Sequence, residues 1–197
     1  MTAPPPSDED DAASIAASRA EPERFAVIFD RHSEEIHRYV AWRLGAGTAD
    51  DVVADTFLVA FRRRGDYDLD QTDARPWLYG IASNLIKDHR RAETRRHRML
   101  ARTPAAHATE SFDERSTARI AAQSMQPRLR AVIAKLSAAD RDLLLLIAWA
   151  ELSYEQAAQA LGVPVGTVRS RLHRIRKKVR RGLGGIDPTS MFEEAWA

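Results

Sequence analysis

Between Ser153 and Arg181 the chain reads SYEQAAQALGVPVGTVRSRLHRIRKKVRR, and few arrangements accommodate that pattern. Ser153 followed three residues later by Gln156 is a capping-box spacing, so a helix is expected to open at Tyr154 and run through Ala157, Ala158 and Leu161. Gly162 supplies the left-handed backbone that ends it, Val163 and Pro164 lead out of the turn, and a second helix is expected from about Val165. Ala158 is small enough for two helices to approach closely, and Val168 is placed to pin the second on the first. This is the spacing of a helix-turn-helix.

Val168, Leu172, Ile175 and Val179 recur at helical spacing along the second helix and must face a core. At about 100° per residue, the other side carries Gly166, Thr167, Ser170, His173, Arg174 and Lys177, with Arg169 and Arg176 on a flank. Eight Lys or Arg and no acid lie between Arg169 and Arg181. A merely solvated face usually mixes in acids. The other reading is a recognition helix in the DNA major groove, where Arg donates to guanine edges and phosphates.

A net charge of +2 over 197 residues hides a strong segregation of the charges. Asp8, Glu9, Asp10 and Asp11 are acidic neighbours near the N-terminus, whereas the cations gather in two later stretches, and a polyanion responds to local charge. The absence of cysteine excludes disulfides, thiolate chemistry and cysteine-bound zinc, and fits a reducing cytoplasm. The apolar run Leu143 to Ala150 is far shorter than the ~20 residues of a spanning helix. The acidic, Pro-rich N-terminus does not have the form of a signal peptide.

Residues 1–20 hold three consecutive prolines and an acidic run with little to bury, which predicts disorder. PERFAVIFDRHSEEIHRYVAWRL then places Phe25, Phe29, Ile36, Val40 and Leu44 near helical spacing, stopped by Gly45 and Gly47. Thr48 with Asp51 predicts the cap of a second helix that buries Val52 or Val53, Thr56 or Phe57, Ala60 and Phe61. After the polar loop DYDLDQTDAR, Pro76 suits the first turn of a third helix. There Trp77, Leu78, Ile81, Leu85 and Ile86 form an apolar stripe, followed by Lys87, Arg90, Arg91, Arg95, Arg96 and Arg98 against Asp88 and Glu93 alone. An aromatic start and a basic end suit single-stranded nucleic acid, whose bases stack on rings while phosphates meet cations. Core placement of Trp77 and Tyr79, with a solvated basic run, is the alternative.

Residues 97–113 carry no sustained period and read as a linker. Helix is expected again near Glu114, Pro127 opens another through Leu136, and Ser137 with Asp140 caps DRDLLLLIAWA. The tail 184–197 shows no recognisable chemistry. There is no Walker-type loop, GxSxG elbow, HExxH or paired metal-ligand spacing, so the chain reads as a binder with no catalytic residue, metal or cofactor rather than an enzyme. The expected fold is all-α: two small helical domains joined by a flexible linker, the C-terminal one a helix-turn-helix.

DDVVADTFLVAFRR, RPWLYGIASNLIKDHRR and LSYEQAAQALGVPVGTVRSRLHRIRKKVR, in this order, resemble the bacterial RNA polymerase sigma factors of the extracytoplasmic-function (ECF) group. The resemblance implies a sigma region 2 over 21–96, a linker over 97–113 and a sigma region 4 over 114–183. It implies that Asp51, Ala54, Asp55 and neighbouring Phe57 meet the clamp helices of the largest subunit of core RNA polymerase. Many members have Gln and Glu where this chain has Ala54 and Asp55. It further implies that Asn84 holds a base flipped from the minus-ten element. Beside it, Trp77 with its preceding loop, Lys87, Arg90 and Arg91 would contact the melted strand. Gly80 occupies a position that is often basic in relatives. Thr167, Arg169, Ser170, His173, Arg174 and Lys177 would face the double-stranded minus-thirty-five element, of which Arg169, Ser170, His173 and Arg174 match the family's reading positions. The partners implied are core polymerase, promoter DNA in both forms and an anti-sigma factor, with a cytoplasmic location and no membrane segment. The competing expectation is a stand-alone helix-turn-helix regulator that binds duplex DNA without polymerase.

Overall fold

The computed structural model describes residues 10–100 and 127–182, and every regular element among them is helical. The chain divides into two compact units, 1–118 and 119–197. The helix expected near Glu114, most of the expected linker, and the tail 184–197 lie outside the described residues.

In the first unit, α1 (Asp11–Ala17) leads through a 3-10 turn at Pro22–Phe25 to α2 (Ala26–Leu44), α3 (Ala46–Arg62) and α4 (Arg75–Leu100). The three long helices pack around Ile28, Ile36, Tyr39, Val40, Val52, Ala60, Leu78, Tyr79 and Ile86. The Tyr39 and Tyr79 rings meet edge to face at 5.1 Å, and the Tyr39 hydroxyl lies 2.9 Å from Ser83 Oγ, which satisfies both hydroxyls in the core.

Several expectations are corrected. The stretch 1–20 is not wholly disordered, for α1 is an ordered helix. Asp10 caps it by accepting from the Ala13 amide at 2.7 Å, and Ile15 is fully buried. Its few apolar side chains suffice because α2 and the loop before α4 cover them, a tertiary contribution invisible in local composition. α3 starts at Ala46 without a side-chain cap, because Gly45 at φ 87° turns the chain alone and leaves Thr48 inside the first turn. Phe29 is 45% exposed, and Ile28 takes the core position beside it. α4 buries Leu78, Ile81 and Ile86 but leaves Trp77 and Leu85 half-buried. It continues to Leu100, through the first four residues of the expected linker, since no Gly or Pro lies between Gly80 and Pro104.

The second unit comprises α5 (Pro127–Ala134), α6 (Ala138–Ala148), α7 (Tyr154–Leu161) and α8 (Val165–Gly182). Ser137 accepts from the Asp140 amide at 3.1 Å, and Ser153 and Gln156 form the reciprocal capping box. Gly162 is left-handed at φ 63°, and the Gly162 and Val163 amides donate to the Gln159 and Ala158 carbonyls. Val168, Leu172, Ile175 and Val179 are all buried, each contributing about 1.5–3 kcal/mol of apolar transfer. At the far end Gly182 lets α8 approach α5 so closely that an added Cβ would lie 2.3 Å from Val132 Cγ2.

Candidate nucleic-acid interfaces

With its apolar stripe committed to the core, α8 must turn its remaining side chains outward. Arg169, Ser170, His173, Arg174 and Lys177 are exposed, while Thr167 is half-buried in the first turn with its carbonyl accepting from Ser170 Oγ at 3.1 Å. The cations divide by direction. Arg176 reaches back to the Tyr154 hydroxyl at 3.3 Å and Lys178 to Asp140 at 3.1 Å, so these two tie α8 to α7 and α6. Arg169 sits 3.5 Å from Glu155 in the first turn of α7, an exposed pair that holds it weakly. Arg174 lies along the helix, its Nε 3.4 Å from the Ser170 carbonyl. The outer face thus offers a row of exposed donors that a major groove accommodates.

The second surface is built on α4 and the loop ahead of it. Asp73 receives the Arg75 guanidinium through three contacts of 3.0 to 3.1 Å, and this pairing holds the Arg75 proton more tightly than usual. Tyr67 is buried, donates to the Gln71 carbonyl at 2.6 Å and packs its ring 5.0 Å from that of half-buried Trp77. Burial raises the Tyr67 phenol, and the surrounding Asp11, Asp73, Asp68 and Asp10 raise it further, so it remains a donor. Residues 68–71 are exposed at the loop tip.

Trp77, Asn84 and Arg91 succeed one another at intervals of seven and therefore share one side of α4. Asn84 is exposed with its Oδ1 3.4 Å from Lys87 Nζ, and Arg91 is exposed beside Asp88. Arg90 does not join them. It points about a third of a turn away and donates to the Arg43 carbonyl at 2.7 Å, tying α4 to the end of α2.

On α3, Asp51, Ala54 and Asp55 are exposed, but Phe57 is buried with its ring 4.9 Å from Phe29. Leu58, 44% exposed, is the apolar side chain that continues the Asp51, Ala54, Asp55 stripe. The sequence reading overlooked Leu58 because a core stripe and its outward neighbour differ by one residue of phase. It also overlooked a buried cluster in which Asp11 meets Arg31, His32 Nε2 at 2.9 Å and the Ala74 amide at 2.8 Å. The available signal was Asp10 as a cap before an Ala-rich run. Among the described residues, no His, Asp and Glu group could hold a metal, and no helix is long and apolar enough to cross a membrane.

Residues 28–96 match the family described as sigma-70 region 2, and residues 127–179 match sigma-70, region 4. The chain is 32% identical over 165 residues to the ECF RNA polymerase sigma factor SigC of Mycobacterium tuberculosis, covering 84% of this chain and 86% of that one. It is 28% identical over 172 residues to the RNA polymerase sigma factor NccH of Alcaligenes xylosoxydans xylosoxydans, covering 86% and 92%. Among solved structures, CnrH in complex with the cytosolic domain of CnrY aligns with a TM-score of 0.63 at 26% identity, over 88% of this chain and 97% of that one. The Bartonella quintana sigma factor RpoE, solved with the anti-sigma factor NepR, shares the fold at a TM-score of 0.62 and 22% identity, over 81% and 96%.

Proposed function

Since the chain belongs to the sigma-70 family, as an RNA polymerase sigma factor of the ECF group that directs promoter-specific transcription initiation, we propose how its surfaces divide that work. The exposed α3 stripe of Asp51, Ala54, Asp55 and Leu58 meets the clamp helices of the polymerase largest subunit, with Phe57 supporting the stripe from beneath. Thr167, Arg169, Ser170, His173, Arg174 and Lys177 enter the major groove of the upstream element. A bidentate base contact there discriminates by about 1–3 kcal/mol, and phosphate contacts add salt-dependent affinity.

Trp77, Asn84, Lys87 and Arg91 then receive the separated downstream strand. Extruding a base costs on the order of a few kcal/mol, which stacking and amide hydrogen bonds must offset. Asn84 acts only on a base that has left the duplex, so it favours the open state over the closed one. Arg90 acts through α2 rather than on DNA. The protein itself makes and breaks no covalent bond, since opening follows from tighter binding to separated strands than to paired ones.

An anti-sigma factor that covers these surfaces fits the same reading, because RpoE was solved with the anti-sigma factor NepR, and CnrH with the cytosolic domain of CnrY. The boundaries 21–96 and 114–183 are proposed as the two working regions. The observation that carries the reading is the sorting of α8 cations into two that tie the helix down and a set that faces out. A stand-alone regulator is not favoured, since it has no use for the Trp77 to Asn84 face. Co-purification with core polymerase followed by run-off transcription tests the proposal. Failure to bind core enzyme, or equal initiation without the chain, would overturn it.

A further inference from the structure

The loop between α3 and α4, part of the proposed downstream surface, is gripped at one end by Ser18 and Arg19, just after α1, and at the other by Asp11 of α1. At the first end, Arg64 Nε donates to the Ser18 carbonyl at 3.1 Å, and Arg19 donates to the Tyr67 carbonyl at 3.1 Å and the Arg64 carbonyl at 3.4 Å. At the other end the Asp11 amide donates to the Thr72 carbonyl at 3.2 Å, and its carboxylate accepts from the Ala74 amide at 2.8 Å. Asp11 is itself held by Arg31 and by His32 Nε2 at 2.9 Å. The other ring nitrogen of His32 lies 2.7 Å from Glu35, whose second oxygen accepts from Tyr79 in the first turns of α4 at 3.4 Å.

Only the tip, residues 68–71, is left exposed between the two grips, next to the Tyr67 and Trp77 ring pair. We propose that α1, with the turn at Ser18 and Arg19 that follows it, is a clamp that sets the shape of this loop, with Asp11 and Arg19 as positioning residues for capture of the unpaired downstream base. A buried carboxylate that bonds both a backbone amide and a cation fixes the loop far more firmly than surface contacts do. The order of α1 is thereby coupled to base recognition, although α1 never meets the base. This inference rests on the reading of Trp77 and Asn84 as the downstream pocket.

The test uses holoenzyme assembled from core polymerase and full-length chain on pre-melted promoters that differ at single downstream-element bases, with the ratio of run-off product as readout. Asp11→Ala is expected to lower base discrimination about tenfold and Arg19→Ala by a smaller factor. Core affinity and the upstream footprint stay unchanged. Asp11→Asn keeps an oxygen for the Ala74 amide and recovers part of the loss, which a general loss of stability would not show. If Asp11→Ala does not fold, exposed Arg19 carries the test. Asn84→Ala separates the two ideas. If it abolishes discrimination while the Asp11 and Arg19 variants retain the full ratio, the clamp is refuted and the pocket stands. If Asn84→Ala also leaves the ratio intact, pocket and clamp both fall.

Discussion

His32 lies between two carboxylates in the interior of the first unit, and its titration follows from that position. Burial alone would depress the imidazolium, but Asp11 and Glu35 outweigh it and hold the pKa at about 9 against an ordinary 6.5. Burial would likewise raise Asp11, yet His32, the Ala74 amide and Arg31 bring it down to about 2. A raised folded-state value means that the His32 contribution is complete below pH 6.5 and disappears as pH rises through 9. Denaturant unfolding is therefore expected to show stability of the first unit declining between pH 6.5 and 9, with a flatter profile in His32→Gln. On α8 two of the outward cations predict different losses. Arg174→Ala should reduce preference for the upstream sequence by about 1–3 kcal/mol at one base pair, seen as relaxed specificity in holoenzyme binding to promoter variants. Lys177→Ala should weaken all sequences alike and lower the slope of log affinity against log salt by about 1.

At the scale of elements, the helix-turn-helix depends on backbone chemistry at its two hinges. Gly162 has open space where a Cβ would project, so Gly162→Ala meets no clash and carries only the left-handed penalty of about 1–2 kcal/mol. Ser153→Ala should cost about 1 kcal/mol through loss of the capping box. Thermal unfolding of the second unit should then shift down by about 4–8 °C per kcal/mol. An undiminished midpoint in Gly162→Ala would contradict the assigned backbone geometry. α1 shows the opposite dependence, for its seven residues are too few to be helical in isolation, and its order comes from α2 and the loop that it grips.

For the whole molecule, a net charge of +2 gives little overall attraction to DNA, whereas its local basic faces are strong. The isolated chain is accordingly expected to bind duplex promoter weakly and with steep salt dependence, and to gain sequence-specific affinity on joining core polymerase, as comparative footprinting would reveal. The helical class, the α7–Gly162–α8 hinge and the buried stripe from Val168 to Val179 were all legible in sequence. So was the outward set on α8, because caps, glycine and 3.6-residue periodicity are local and survive without knowledge of neighbours. What faces the Phe29, Phe57 and Trp77 positions was not legible, since a shift of one residue in helical phase depends on which helix packs opposite. That Arg90 reaches the Arg43 carbonyl, and that an acidic Ala-rich run folds, likewise depend on contacts between residues 47 and 63 positions apart. Local pattern specifies which helices can form; only the packing of distant segments specifies which of their side chains remain available to a partner.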